Sequence, residues 1–182
     1  MTTQNTILML GDSLVEWGDW ETLLPNHNVI NRGVSGEHVE GLSVRLADEV
    51  LSAGTVQHIL IMAGTNNLLM GNLFFPAIFR TMLARLRQLC PDATIIVNSI
   101  LPMDITGPAG DTIDRVNLEL QEITEEAACC FLDMKTAYAA RCLPITHPCF
   151  MEDGVHLSTR GYQVWAEEIS RHLTGLKETH EA

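Results

Sequence analysis

The chain passes from an apolar run to a polar tripeptide in TILMLGDSL, residues 6–14. Five residues suited to a buried strand, Thr6–Leu10, are followed at once by Gly11, Asp12 and Ser13. Short runs rich in Ile and Leu that stop at such residues are typical of strands in parallel sheets. The stretch therefore predicts a first strand that ends by presenting a serine at the edge of a sheet.

Short apolar runs alternate with stretches of helical period along the chain, which is the pattern of β-α units around a parallel sheet. The predicted strands are Ile7–Leu10, Val29–Asn31, His58–Met62, Thr94–Asn98 and Cys130–Leu132. The predicted helices are His38–Ser52, Phe74–Leu89, Thr112–Ala127 and Ser158–Leu173. Asp111 is the expected N-cap of the third helix, and the Pro- and Gly-containing run Leu101–Gly110 is predicted as a loop. This order predicts one three-layer α/β/α domain over residues 1–182.

The net charge of the chain limits the classes of molecule that it is expected to bind. The formal net charge of −12 disfavours nucleic acid and anionic membranes as partners, because both are polyanions. The stretch Leu51–Phe79 contains no Asp, Glu, Lys or Arg, but glycines, asparagines and Pro76 interrupt it. It is therefore predicted as a buried strand, a polar loop and a helix start rather than a membrane span.

The cysteines and the first residues bear on the cellular compartment. Five cysteines, an odd number without C-x-x-C spacing, predict reduced thiols rather than a disulfide framework. The first residues lack the basic region of a secretory signal. We therefore expect a cytoplasmic enzyme or binding protein.

Polar segments follow three of the predicted strands, where ligands of parallel sheets bind. They are Gly11–Ser13 after the first strand, Arg32–Gly36 after the second and Ala63–Asn67 after the third. A fourth segment, Asp153–His156, precedes the last helix. We expect the functional residues in these four segments.

These segments hold the side chains of nucleophilic catalysis. Ser13 is the candidate nucleophile, His156 is the natural base, and Asp153 can orient the imidazole if the segment between them turns. The oxyanion formed in acyl transfer needs donors fixed in advance. The backbone N–H groups of Ser13 and Gly36 and the side-chain amide of Asn66 would supply three.

Each residue taken singly also has a simpler structural explanation. Gly-Asp-Ser after a strand is typical of a helix N-cap, Gly36 of a turn and Asn66-Asn67 of a loop. Asp153 could cap the last helix, and a single histidine is more often a surface or packed residue. The prediction depends on the combination.

Together the segments resemble the blocks of the GDSL, or SGNH, hydrolase family of esterases, lipases and acetylhydrolases. The matching stretches are LGDSL (10–14), NRGVSGEH (31–38), GTNN (64–67) and DGVHL (153–157). The resemblance implies a catalytic triad of Ser13, Asp153 and His156 and an oxyanion hole of Ser13, Gly36 and Asn66. It also implies a flavodoxin-like sandwich with a five-stranded parallel sheet.

The third block is similar to that of the platelet-activating-factor acetylhydrolase-like branch. Two positions depart from the common family pattern. Glu37-His38 stands where the second block often continues Asp-Thr, and Asn67 stands where the third block often has Asp. Neither departure falls on a residue that the family uses for catalysis, so both concern subfamily and substrate.

Other candidates compete with these residues. Ser35 in GVSGE suggests a G-x-S-x-G elbow, but Glu37 takes the place of the final glycine. Cys149 lies near the proposed acid and base and is predicted as a small buried residue lining the site. Metal-ligand, P-loop and dinucleotide patterns are missing from the sequence, so no metal and no cofactor are expected.

The sequence predicts a serine esterase that hydrolyses carboxylic esters of small molecules through an acyl-enzyme. We expect short-acyl or acetyl esters as substrates, because the chain has no evident lid insertion. A lysophospholipase or acyl thioesterase for longer chains, an acyltransferase and a non-catalytic binding module of the same fold remain open. The oligomeric state also remains open. It also remains open whether the substrate contacts His38, His147, Trp17 or Trp20; each of these four residues is expected either at the surface or in the core.

Overall fold

The computed structural model describes residues 4–103, 109–142 and 149–180. Within these residues five strands form one parallel sheet in the order β2-β1-β3-β4-β5. The strands are β1 (Asn5–Gly11), β2 (His27–Gly33), β3 (His58–Met62), β4 (Thr94–Asn98) and β5 (Cys130–Leu132). The helices are α1 (Ser13–Glu16), α2 (Trp20–Leu23), α3 (Val39–Ala53), α4 (Thr65–Leu69), α5 (Pro76–Leu89), α6 (Ala109–Glu126), α7 (Lys135–Arg141) and α8 (Thr159–His180).

A hydrophobic core lies on each face of the sheet. Because side chains alternate along a strand, Leu8 and Leu10 of β1 enter the core shared with α3, α5 and α6. Ile7 and Met9 enter the opposite core, which α1, α2, α7 and α8 cover. The predicted three-layer α/β/α architecture and its five-stranded parallel sheet are confirmed.

Three strands have the predicted bounds, and the first two are longer than predicted. Thr94–Asn98, His58–Met62 and Cys130–Leu132 agree with the sequence. Strands β1 and β2 extend to polar residues at one end and to Gly11 and Gly33 at the other, because their backbones pair in register over seven positions, from Asn5 with His27 onward. Backbone pairing does not depend on side-chain polarity, so the apolar run marks only the middle of each strand.

The long helices differ from the prediction at their ends. Helix α6 begins at Ala109, which places Asp111 in its first turn rather than at the N-cap. Part of the predicted loop Leu101–Gly110, residues 104–108, lies outside the described residues. The uncharged stretch Leu51–Phe79 holds the end of α3, then β3, α4 and the start of α5. Within the described parts of the chain, no helix has the length and apolar character to cross a membrane.

The cysteine prediction is wrong for one pair. Cys142 and Cys149 form a disulfide, with 5.3 Å between their Cα atoms, whereas Cys90, Cys129 and Cys130 are free thiols. The bond joins the end of α7 to the segment that precedes Asp153. Its cysteines are seven positions apart, and neither an odd cysteine count nor the lack of C-x-x-C spacing excludes one such pair. Cys149 is buried but cannot act as a nucleophile while it is oxidised. Without the argument from reduced thiols, a cytoplasmic location stays a prediction.

Candidate active site

The site lies at the carboxyl edge of the sheet, where β1, β2 and β3 end at the same level. Gly11 pairs with Gly33 on one side and with Met62 on the other. A Cβ atom at Gly11 would lie 2.1 Å from the Met62 carbonyl oxygen, far inside van der Waals contact. Only glycine therefore fits at the end of β1, and the loops that follow the three strands emerge side by side.

Ser13 begins α1, and Asp12 is the N-cap of this helix. The Leu14 N–H donates to Asp12 Oδ1 over 3.0 Å, so the predicted cap geometry is present. The Ser13 Oγ atom lies 3.1 Å from His156 Nε2, although 143 positions separate the two residues in the chain. The cap thus orients the start of the helix so that the serine hydroxyl faces the imidazole.

Asp153 and His156 lie in a turn whose ends are joined by a bridge between Phe150 and Leu157. Asp153 Oδ2 is 2.6 Å from His156 Nδ1, and Asp153 Oδ1 accepts from the backbone N–H groups of Val155 and His156, each over 2.9 Å. Burial raises the pKa of Asp153, but these hydrogen bonds outweigh it and hold the pKa below its usual value. An ionised Asp153 favours the tautomer with Nδ1 protonated, which leaves Nε2 free to accept from Ser13.

Gly36 occupies the turn that follows β2. The Glu37 N–H donates to the Val34 carbonyl over 3.1 Å, and the Val34 N–H donates to the Gly11 carbonyl over 2.9 Å. Gly36 stands at the third position of this turn with a φ of 74°. A β-turn with positive φ at its third position favours glycine there, so the glycine follows from the turn geometry.

Asn66 lies in the first turn of α4, after β3. Its Nδ2 atom donates to the Glu37 carbonyl over 3.0 Å. An amide nitrogen carries two N–H groups, so this bond orients the side chain and uses one of them. The structure therefore brings Asn66 against the Gly36 turn, with its second N–H available for another acceptor.

The sequence did not indicate Arg45, which supports this turn from α3. Arg45 donates to both carboxylate oxygens of Glu37, over 2.7 and 2.5 Å, and to the Arg32 carbonyl over 2.8 Å. The ion pair is largely buried and ties the turn to the helix behind it. Glu37 and Arg45 are eight residues apart, and Glu37 precedes the helix, so no helical spacing pointed to the pair.

Asn67 links the third loop to the start of α3. It is fully buried; its Oδ1 atom accepts from the Val39 N–H over 3.0 Å, and its Nδ2 atom donates to Glu40 over 2.8 Å. This donation from Asn67 is the main reason that the pKa of Glu40 lies below its usual value. The departure from the family's Asp is thus explained, since an Asp would set two carboxylates against each other.

Asp12 is fully buried behind the nucleophile. Burial raises the pKa of Asp12 to about 6, although the Leu14 N–H, the Thr65 hydroxyl and the nearby His156 act in the opposite direction. A carboxyl in this position is therefore costly to ionise.

The remaining candidates lie in different surroundings. Ser35 is exposed and bonded to Glu16 and Trp17, not to the imidazole, so it is not placed as a nucleophile. Trp20 is buried in the core, whereas Trp17 is 49% exposed and stacks on His156. His38 is half-buried at the start of α3, and His147 lies outside the described residues.

A groove of about 340 Å³ borders Trp17 between α2 and the start of α8. Its volume is at the lower end of the range of ligand pockets, ~300–1,000 Å³. The lining residues are Trp17, Asp19, Thr22, Leu23, Met151, Leu157, Thr159, Tyr162 and Gln163. Met151 and Leu157 flank the turn that carries Asp153 and His156, so the groove adjoins the candidate site.

One family model matches most of the chain. It is that of the GDSL-like Lipase/Acylhydrolase family, and it covers residues 9–164, which include Ser13, Gly36, Asn66, Asp153 and His156. No match is found among curated proteins.

Solved structures share the fold over almost the whole chain. A provisionally named platelet activating factor from Streptococcus pneumonia is 23% identical, with a TM-score of 0.77 over 94% of this chain and 85% of that one. A GDSL-like lipase from Bacteroides thetaiotaomicron is 19% identical, with a TM-score of 0.76 over 95% and 89% of the two chains. An acetylxylan esterase from Geobacillus stearothermophilus, solved as a catalytic mutant, is 19% identical, with a TM-score of 0.75 over 94% of each chain. At these identities the likeness shows a common fold.

The buried Asp12 makes stability depend on pH. Because its pKa is raised in the folded state, the folded chain holds this proton between about pH 4 and 6, where the unfolded chain releases it. Its contribution to the free energy of unfolding therefore falls by up to roughly 3 kcal/mol as pH rises through that window. Asp12→Asn should remove this fall in urea titrations at several pH values. Asp19→Asn, which alters an exposed N-cap carboxyl, should keep the wild-type slope, and an unchanged slope in Asp12→Asn would contradict the explanation.

The Asn67–Glu40 contact predicts the effect of restoring the common family residue. Asn67→Asp should lower the free energy of unfolding at pH 8 by roughly 1–3 kcal/mol, because the buried amide donor is replaced by a second carboxylate. Glu40→Gln in the same chain should recover most of the loss, since the new amide can donate to the aspartate. Denaturant titration of the double-mutant cycle measures the coupling, and additive effects would show that the two side chains do not interact.

Proposed function

We propose that this chain, which belongs to the GDSL-like lipase/acylhydrolase family, is a serine esterase that hydrolyses carboxylic esters through an acyl-enzyme. Family membership makes it a carboxylic-ester hydrolase, and the proposal concerns the residues that act and the substrate. The observation that carries it is the unbroken line of hydrogen bonds from Asp153 through His156 to Ser13. Such a line is what a serine needs to become a nucleophile.

In the proposed first step, the Ser13 hydroxyl oxygen attacks the ester carbonyl carbon while its proton passes to His156 Nε2. Asp153 stabilises the imidazolium that forms. The negative charge on the former carbonyl oxygen is stabilised by the N–H groups of Ser13 and Gly36 and by the free N–H of Asn66, each donor being worth roughly 10²–10³ in rate. His156 then gives the proton to the departing alcohol oxygen, the C–O bond breaks, and the acyl group remains on Ser13.

In the second step water takes the place of the alcohol. His156 accepts a proton from water, the resulting oxygen nucleophile attacks the acyl-enzyme, and the carboxylic acid leaves as Ser13 recovers its proton. The same acyl-enzyme would transfer to another alcohol if an acceptor bound in place of water. Every atom that moves belongs to substrate, water, Ser13 or His156.

We propose short-acyl esters, including acetyl esters, as the substrates. Among the described residues, the loops that follow β1, β2 and β3 are short and contain no inserted lid, so the site residues come directly from the edge of the sheet. A longer acyl chain is the second candidate, and the groove beside Trp17 is the observation that favours it. Leu23, Met151 and Leu157 give this groove an apolar part that could receive several carbons.

Hydrolysis should depend on Ser13. Ser13→Ala should reduce kcat/KM for p-nitrophenyl acetate to the uncatalysed background, a loss of at least ~10⁴-fold, because no other hydroxyl faces His156 in the described site. Ser52→Ala removes an exposed hydroxyl at the end of α3 and should leave activity unchanged. Far-ultraviolet circular dichroism would confirm that both variants fold. Full activity in Ser13→Ala, or no activity in the wild type, would contradict the proposal.

Acyl-chain preference separates the two substrate candidates. Wild-type kcat/KM should be highest for p-nitrophenyl acetate or butyrate and lower for the octanoate, because the site itself has little apolar wall. Leu23→Asp, which places a charge in the groove, should then leave the acetate and butyrate rates unchanged. An optimum at octanoate that Leu23→Asp abolishes would instead identify the groove as the acyl site.

A further inference from the structure

Trp17 makes an unusual contact for a half-exposed aromatic residue. Its ring stacks on the His156 imidazole with 4.2 Å between the centroids and 17° between the planes. Trp17 caps the end of α1, and its N–H donates to the Ser13 carbonyl over 3.0 Å. Residues four apart lie on the same side of a helix, so this one turn presents both Ser13 and the indole to His156.

The other end of the indole is held by the turn that carries Gly36. The Trp17 Nε1–H donates to Ser35 Oγ over 3.1 Å. The Ser35 N–H donates to Glu16 over 2.9 Å, and the Ser35 hydroxyl donates to the same carboxylate oxygen. We call Glu16, Trp17 and Ser35 the indole bracket. It joins the imidazole to the residue that precedes Gly36.

We propose that Trp17 is a positioning residue for ester hydrolysis, holding the His156 ring opposite Ser13 and stabilising the imidazolium that forms when His156 takes the serine proton. This inference rests on the proposed function. The indole bracket would also keep the imidazole and the Gly36 turn at a constant separation, so that base and oxyanion donors act on the same carbonyl group.

The Trp17 ring is proposed to stabilise the transition state more than the complex with bound substrate. His156 gains positive charge only as the proton leaves Ser13, and the face of an indole attracts a cation more strongly than any other aromatic face. An interaction that is stronger in the transition state than with bound substrate raises kcat and leaves KM nearly unchanged. Asp153 meets the edge of the same ring at Nδ1, so the carboxylate and the indole stabilise the charge from different directions.

Two substitutions at Trp17 distinguish an effect of the aromatic ring from an effect of any apolar side chain that covers His156. Trp17→Leu keeps an apolar side chain but removes the ring, and kcat for p-nitrophenyl acetate should fall roughly tenfold with KM changed less than about twofold. Trp17→Phe keeps a ring but loses the N–H donor, and kcat should stay within about threefold of wild type. Phe74→Leu removes an 89% exposed ring after α4 and serves as the matched control, with kcat unchanged.

Ser35→Ala tests the indole bracket without altering the ring. It should lower kcat about twofold to threefold, and the double variant with Trp17→Phe should be no slower than the slower single variant, because both remove the same hydrogen bond. This pair also keeps the inference testable if Trp17→Leu does not fold.

Four results would overturn the inference: wild-type kcat in Trp17→Leu, a loss in Trp17→Phe as large as in Trp17→Leu, an effect on KM alone, or additive losses in the double variant. All four presuppose that the wild type hydrolyses the ester. Failure of the wild type to do so would instead overturn the proposed function.

Discussion

The candidate site depends on the close approach of three strands at Gly11. Its missing side chain lets β1 lie against the Met62 carbonyl at the point where β1 ends. Any larger residue would force β1 and β3 apart or move α1, which begins two residues later. Either movement would shift Ser13 relative to His156, whose position is set by a different part of the chain. A backbone contact within the sheet thus determines a distance between two side chains 143 positions apart.

Around this edge, charged side chains hold the loops in place through hydrogen bonds that also stabilise their charged forms. Arg45 holds Glu37, the Glu37 carbonyl orients Asn66, and Glu40 orients Asn67, so both asparagines of the third loop are bonded to the second loop or to α3. Asp12 is the exception, since its burial makes ionisation unfavourable. A buried carboxyl beside a nucleophile lowers the free energy of unfolding, and such a loss of stability is expected at a residue that fixes the geometry of a site.

The sequence predicted the layers, the sheet and the residues of the candidate triad, but not the contacts that hold them. Strands β3, β4 and β5 were predicted at their observed bounds because each is a short run that contains Ile, Val or Leu. Helices α1, α2, α4 and α7 were missed, since segments of four to seven residues are too short to display a helical period. Asp153 and His156 could be identified because they are only three positions apart, so one turn brings their side chains together. The stacking of Trp17 on His156 arises only when distant segments meet. The Arg45–Glu37 pair and the Cys142–Cys149 disulfide join residues eight and seven positions apart, spacings that match neither a helical period nor C-x-x-C.

In the proposed reaction Ser13, activated by His156, forms the acyl-enzyme. Covalent labelling with a fluorophosphonate, followed by mass spectrometry of the intact and digested protein, tests it most directly because the reagent reports the activated hydroxyl itself. One adduct per chain is expected, on the peptide that contains Ser13, and the reaction should be greatly slowed in His156→Ala. An adduct on Ser35 or another residue, or equal labelling in the presence and absence of His156, would contradict it.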